Sequence, residues 1–198
     1  MKVHVYPGMG ATSEMYKGPW ENCDFTFHSW EPILDCKSIE AYAINLISKH
    51  EIKEGDVLIG TSLGGIIACE IANQINISKL CLIGSAIQPQ EIKMFLKVIH
   101  PIVDYSPLSF IQSLVGKVPN ELSRMMSESE GAFIRTMCRA IFQWGGLRSD
   151  VPLYRIHGKS DFVISCPQEN VTQIDGGHLI AMTHAKECVM FINRSLKN

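Results

Sequence analysis

Three short stretches of the sequence hold side chains able to do chemistry together. The first is Gly60-Thr61-Ser62-Leu63-Gly64-Gly65. It stands between a uniformly apolar run, Val57-Leu58-Ile59, and a stretch from Gly64 to Ile75 with Ile67, Ile71 and Ile75 in helical register. The order is therefore strand, tight turn, helix. A serine at such a turn is held in a strained backbone conformation with its hydroxyl exposed. Gly60 and Gly64 stand where a side chain would strike the neighbouring helix or strand. The Leu63 amide falls at a helix N-terminus, where unpaired N–H groups can receive an oxyanion. The chemistry this suits is nucleophilic attack by Ser62 on a carbonyl carbon. A purely structural glycine turn would leave the same pattern, but the buried strand and apolar helix on either side favour the nucleophile. A phosphate-binding loop is disfavoured, because no Lys follows in the Walker position.

Such a serine needs a base. His178 follows Ile174-Asp175-Gly176-Gly177, a strand end and glycine turn, and precedes the last helix, so from a loop it can reach the serine hydroxyl. His184 is its rival, but it stands at the start of that helix without the glycine approach. His157 reads as structural, with its ring bonding near the Asp161 turn. His4, His28, His50 and His100 show no identifiable partner and are expected at the surface or as satisfied core residues. Asp161 follows the run Leu153 to His157 through Gly158 and is the candidate acid. A turn aspartate capping local backbone is the competing reading, and Asp150 and Asp175 are the fallbacks. The histidines show no metal-ligand spacing. The 7 cysteines are odd in number, scattered and without a C-x-x-C, so neither a zinc site nor a redox motif is readable. Cys69 and Cys81 lie in apolar runs and read as small core residues.

The elements that must position these groups alternate along the chain. Val3 to Tyr6, Phe25 to Trp30, Val57 to Ile59, Leu80 to Ile83, Leu153 to His157 and Val171 to Ile174 read as strands. Ser38 to His50 reads as a helix, with Ser38 as cap and Ile39, Ala43, Leu46 and Ile47 on one face. A last helix is expected from about His184 to Leu196. Strands alternating with helices imply βαβ units, hence a mostly parallel sheet of about six strands flanked by helices in a single domain over 1–198. The stretch from about 88 to 147 breaks the alternation. It is helical in period and is divided by Pro101, Pro107 and Pro119. Met94, Phe95, Val98 and Ile99 form one apolar group in it, and Phe133, Met137, Ile141 and Trp144 another. It reads as a helical cap over a site at the strand ends, in preference to a plain insertion packed on the sheet.

In order along the chain, Tyr6-Pro7-Gly8-Met9-Gly10, Trp30-Glu31-Pro32, Gly60-Thr61-Ser62-Leu63-Gly64-Gly65, His157-Gly158-Lys159-Ser160-Asp161 and Gly176-Gly177-His178 resemble the motifs of small, compact α/β-hydrolase-fold proteins. The resemblance implies a minimal version of that fold. It implies Asp161 as the acid of a Ser62-His178-Asp161 triad, and Met9 as a second backbone oxyanion donor beside Leu63. Two departures mark the chain as minimal: the short span from Asp161 to His178 lacks the usual intervening helix, and the first antiparallel hairpin of larger relatives is missing. Pro7 stands where many such hydrolases carry His.

Composition sets the outer limits. With 46% hydrophobic and 19% charged residues, the chain suits a globular core. A net charge of −2 gives no basic face for nucleic acid or an anionic membrane. No window approaches a membrane span and the N-terminus lacks a signal-peptide pattern, so a cytoplasmic location is the expectation. The function expected is a serine esterase or thioesterase acting on a small molecule without a cofactor, since the triad supplies nucleophile, base and electrophile. Acyl transfer, carbon–carbon bond cleavage and a non-catalytic ligand-binding module are the alternatives.

Overall fold

The computed structural model describes residues 1–30, 36, 38–93, 125 and 131–197. Most of the expected cap, including Met94, Phe95, Val98, Ile99, His100, Phe110 and Met126, lies outside the described residues, as do Glu31 and Pro32.

Six parallel strands form one sheet in the order β2-β1-β3-β4-β5-β6. They are β1 (Val3–Tyr6), β2 (Thr26–Phe27), β3 (Val57–Thr61), β4 (Lys79–Ile83), β5 (Leu153–Gly158) and β6 (Thr172–Ile174). The helices are α1 (Ile39–Lys49), α2 (Leu63–Gln74), α3 (Gly131–Ile141), α4 (Ile180–Thr183) and α5 (Ala185–Lys197). The apolar runs of β3 and β4 follow from cover on both faces. Leu58, Leu80 and Leu82 pack toward α1, α2 and α3. Val57, Ile59, Cys81 and Ile83 pack toward Trp20, Ile180, Cys188 and Ile192 on the other side. α1 starts where its cap was expected: the Ala41 amide donates to Ser38 Oγ at 3.1 Å. Among the described residues, no helix is long and apolar enough to cross a membrane.

One strand differs from the sequence reading. Pairing in β2 is confined to Thr26 and Phe27, opposite His4 and Val5. Beyond the His28 amide, which still donates to the Val5 carbonyl, the chain leaves this edge of the sheet. Its side chains are held elsewhere: His28 stacks on His50, and the Trp30 indole donates to Gly8. The last helix, α5, starts at Ala185, in line with the expected start near His184, and the short α4 ends just before it. The Trp20 indole donates to the Ala181 carbonyl, which in a continuous helix would accept from Ala185.

Three histidines expected to stand apart are brought together under the β1–β2 edge. His4 Nδ1 lies 2.9 Å from His28 Nε2, and Asp56 Oδ2 lies 3.4 Å from the other His4 nitrogen. His28 stacks on His50 with ring centroids 3.9 Å apart. His50 Nδ1 meets the Tyr6 hydroxyl at 2.8 Å. They come from β1, the β2 end and the α1 terminus, so no sequence spacing reveals the group. Burial and the neighbouring His50 and His4 hold His28 down at about 3. Burial also lowers His4 and His50; Lys2 and Lys49 push the same way, and Asp56 opposes them at His4. A histidine depressed in the folded state stays neutral while its unfolded counterpart takes a proton. Stability is therefore full above about pH 6.5 and falls as the pH drops below that value. Urea unfolding between pH 7.5 and 5 should show a falling midpoint with proton uptake on unfolding. His28→Phe, which keeps the stack, should flatten the slope; an unchanged slope would place the uptake elsewhere.

Candidate active site

In a parallel α/β sheet the crevice opens at the carboxyl ends of the strands, where successive connections leave in opposite directions. Here that point lies between β1, whose chain runs outward to β2, and β3, whose chain runs on to β4. Ser62 stands at the end of β3 and caps α2, with φ 52 and ψ −118. A non-glycine residue at such a positive φ is strained and needs a surrounding structure that dictates it. The surroundings do so. A side chain at Gly60 would occupy the space of Gly64 and Gly65, and one at Gly64 the space of the Tyr6 and Pro7 carbonyls. The Ser62 amide donates to the Ile83 carbonyl at 3.1 Å. Its carbonyl accepts from the Ser85 hydroxyl at 2.7 Å. Ser85 is a supporting residue the sequence reading missed; its place just past β4, opposite Gly65, is the signal that was available.

The groups from the far side of the sheet converge on this serine. His178 Nε2 lies 2.9 Å from Ser62 Oγ. His178 Nδ1 lies 2.8 Å from Asp161 Oδ2. An ionised carboxylate only accepts, so Nδ1 carries the proton and Nε2 offers its lone pair to the serine hydroxyl. Asp161 is 3% exposed. Burial opposes its ionisation, but hydrogen bonds from His157, His178 and the Ile164 amide outweigh this and hold the carboxyl well below the usual carboxylate range. Its Oδ1 accepts from the Val163 and Ile164 amides at 2.8 and 3.0 Å. His157 Nε2 faces two acceptors, the Ile164 carbonyl at 3.2 Å and Asp161 Oδ2 at 3.0 Å, so that nitrogen donates. His157 is thus structural, as expected, and it also bears directly on Asp161.

The two glycine motifs lock the Asp161 and His178 loops together. A side chain at Gly158 would collide with the carbonyls of Gly176 and Gly177, and the Ser160 amide donates to Gly176 at 2.9 Å. Gly84, at φ 52, has the His178 carbonyl and Asp161 Oδ2 beside it. The residues from 159 to 171 contain no helix, which matches the short span expected between Asp161 and His178. On the β1 side, Gly8 lies against Ser62. Among the described residues, the amides of Met9 and Leu63 have no acceptor. Tyr16 ties the two strand ends beneath them: its hydroxyl donates to the Tyr6 carbonyl at 2.7 Å and receives from Thr61 at 2.9 Å.

The competing residues lie apart. Asp175 is exposed and pairs with Lys159 at 2.7 Å. Asp150 is exposed in the 148–152 loop. His184 Nδ1 is 2.9 Å from the Thr183 hydroxyl. Among the described residues, no group of three or more His, Cys, Asp or Glu side chains could hold a metal ion.

No protein-family model matches the chain, and no curated protein sequence matches it. Solved structures do match, and over the whole chain. An esterase from Exiguobacterium antarcticum superposes with a TM-score of 0.79 at 17% identity, covering 100% of this chain and 92% of that one. A thermophilic esterase from Thermogutta terrifontis gives 0.78 at 18% identity, covering 100% and 89%. A thioesterase from the prodiginine biosynthetic pathway of Streptomyces coelicolor gives 0.72 at 15% identity, covering 100% and 90%. The chain has the α/β-hydrolase fold.

The glycine contacts make a direct test. Gly158→Ala, with backbone carbonyls in its path, should lower stability by about 1–3 kcal/mol in urea unfolding. At Gly8, the added methyl would meet Ser62 Cβ at an ordinary 3.7 Å. Gly8→Ala should therefore stay within about 0.5 kcal/mol of the parent.

Proposed function

We propose that this α/β-hydrolase-fold protein is a serine hydrolase that cleaves a carboxylic ester or thioester of a small molecule through an acyl-enzyme. The observation that carries this reading is the continuous hydrogen-bond chain from Ser62 through His178 to Asp161, with links of 2.9 and 2.8 Å. The esterase and thioesterase descriptions of the structures it superposes on support the same chemistry.

In this reading Ser62 Oγ attacks the carbonyl carbon while His178 Nε2 takes its proton. The carbonyl oxygen becomes an oxyanion between the Met9 and Leu63 amides, each donor being worth roughly 3 kcal/mol. The carbon–oxygen or carbon–sulfur bond then breaks, and the leaving group takes the proton from His178. Water attacks the acyl-enzyme, gives its proton to His178, and the acid departs as Ser62 recovers the proton. Asp161 holds the imidazole tautomer and stabilises the imidazolium.

The insertion from 88 to 147 is proposed as the cap of this site. Its described helix α3 brings Cys138 Sγ to 3.6 Å from Met9 Sδ and the Phe133 ring to 5.8 Å from Trp30. Residues on that helix therefore border the proposed oxyanion side.

A fluorophosphonate probe should label the folded wild type at Ser62 and leave Ser62→Ala unlabelled. On a panel of p-nitrophenyl esters of increasing acyl length, Asp161→Asn should retain binding but lose kcat by on the order of 10^4-fold. Folded wild type that resists the probe and the whole panel would overturn the reading. Partitioning of the acyl group to an added alcohol or amine, with product release dependent on that acceptor, would redirect it to acyl transfer.

A further inference from the structure

One oxyanion donor is a backbone amide in a glycine-flanked loop, and something has to aim it. The Gly8 carbonyl and the Met9 amide belong to one peptide unit. In a trans peptide the C=O and N–H point in opposite directions, so fixing one fixes the other. The Gly8 carbonyl is held by the Trp30 indole, whose Nε1–H donates at 2.7 Å, and at longer range by the Ala11 amide at 3.2 Å. Trp30 is itself wedged among three rings: Tyr6 at 6.1 Å, Tyr42 at 6.0 Å and Phe133 of α3 at 5.8 Å between centroids. The peptide it grips lies against Ser62.

We infer that Trp30 is a positioning residue for the oxyanion hole: its indole N–H holds the Gly8–Met9 peptide so that the Met9 amide stays aimed at the reacting carbonyl. The inference rests on the hydrolase reading above and adds a residue to it. Gly8 has no side chain to resist rotation of the peptide. Without the indole, the Ala11 amide is the remaining anchor on the Gly8 carbonyl among the described residues. A donor that must reorient during the reaction loses much of the advantage of being fixed beforehand. Trp30 touches no reacting atom; it acts through the peptide. Its seat against Phe133 also makes the aim of that peptide depend on how α3 packs.

The test is Trp30→Phe, which keeps a ring among Tyr6, Tyr42 and Phe133 and removes the donor. With a p-nitrophenyl ester, kcat should fall about tenfold while KM stays within about twofold, because the lost aim matters when the oxyanion forms. The inhibition constant of a trifluoromethyl ketone, whose adduct on Ser62 carries that oxyanion, should rise by the same factor as kcat/KM falls. A residue that only fills space would not move these two quantities together. If Trp30→Phe does not fold, β-(3-benzothienyl)alanine at position 30 keeps the bicyclic shape with sulfur in place of N–H, and the same results are expected. An unchanged kcat, or a loss confined to KM, overturns the inference while an active wild type leaves the hydrolase reading standing. Folded wild type that neither turns over nor reacts with a fluorophosphonate overturns both.

Discussion

A buried carboxylate has to be surrounded by donors, and the arrangement around Asp161 follows from that need. Leaving one buried charge without its partners costs about 3–5 kcal/mol. Asp161 meets the requirement with two backbone amides on one oxygen and two histidine nitrogens near the other. The amides of Val163 and Ile164 fold the chain back immediately after the acid. The same Ile164 pairs with Ile92 in an isolated antiparallel bridge, and Lys93 Nζ donates to the Asp161 carbonyl at 2.6 Å. The imidazole of His178 completes the set, and its tautomer follows because a carboxylate has no proton to give. The lone pair left on Nε2 faces Ser62.

The remaining constraint is distance between strand ends. Ser62 ends β3, Asp161 follows β5, His178 follows β6 and Met9 follows β1. A parallel ladder puts those ends on one edge. Glycine contacts then close the gaps pairwise: Gly64 against the end of β1, Gly65 against Ser85 beyond β4, and Gly158 against Gly176 and Gly177 beyond β6. Each contact replaces a side chain with backbone and draws two strand ends closer than any other residue would permit. Strain at Ser62 is tolerated because the Ile83 carbonyl of β4 fixes its amide and the Ser85 hydroxyl fixes its carbonyl.

How much of this was legible depended on whether a constraint was local. The turn at Ser62 needs glycines two residues away on each side, so the chemistry and the backbone requirement share five consecutive positions. The strands β3 and β4 announced themselves as apolar runs because both faces are covered, and Ser38 announced the start of α1. The His178 loop was legible through its two glycines. The histidine stack was not, because His4, His28 and His50 meet only through the pairing of β1 with β2 and the end of α1 beside it. Nor was the short α4 ahead of the last helix, where the Ala181 carbonyl accepts from the Trp20 indole, far back in the chain. Trp30 was visible as part of a motif, but its bond to Gly8 belongs to tertiary structure. β2 was overestimated for the same reason: an alternating run of strand formers leaves the ladder once its side chains are held by other elements.

The same distinction separates reaction from substrate. Attack, proton transfer and oxyanion stabilisation each require a fixed backbone geometry, and fixed geometry leaves glycines at set spacings. Selection of an acyl or leaving group requires only that side chains border the carbonyl, and no spacing rule governs those. Next to the Gly8–Met9 peptide stand the Met9 thioether, which adapts to different shapes, Cys138 of α3 at 3.6 Å from the Met9 sulfur, and Phe133 of α3 packed on Trp30. Burial pushes the Cys138 thiol up to about 11, so near neutral pH it stands as a small apolar surface rather than a thiolate. In the proposed hydrolase reading, side chains of this kind would offer a bound molecule contact area and few fixed polar partners. An apolar pocket discriminates by shape and size, and one methylene in it is worth only about 1–3 kcal/mol. In the proposed hydrolase reading, the backbone therefore determines which bond type is attacked, while the choice among substrates rests on smaller differences made by bordering side chains.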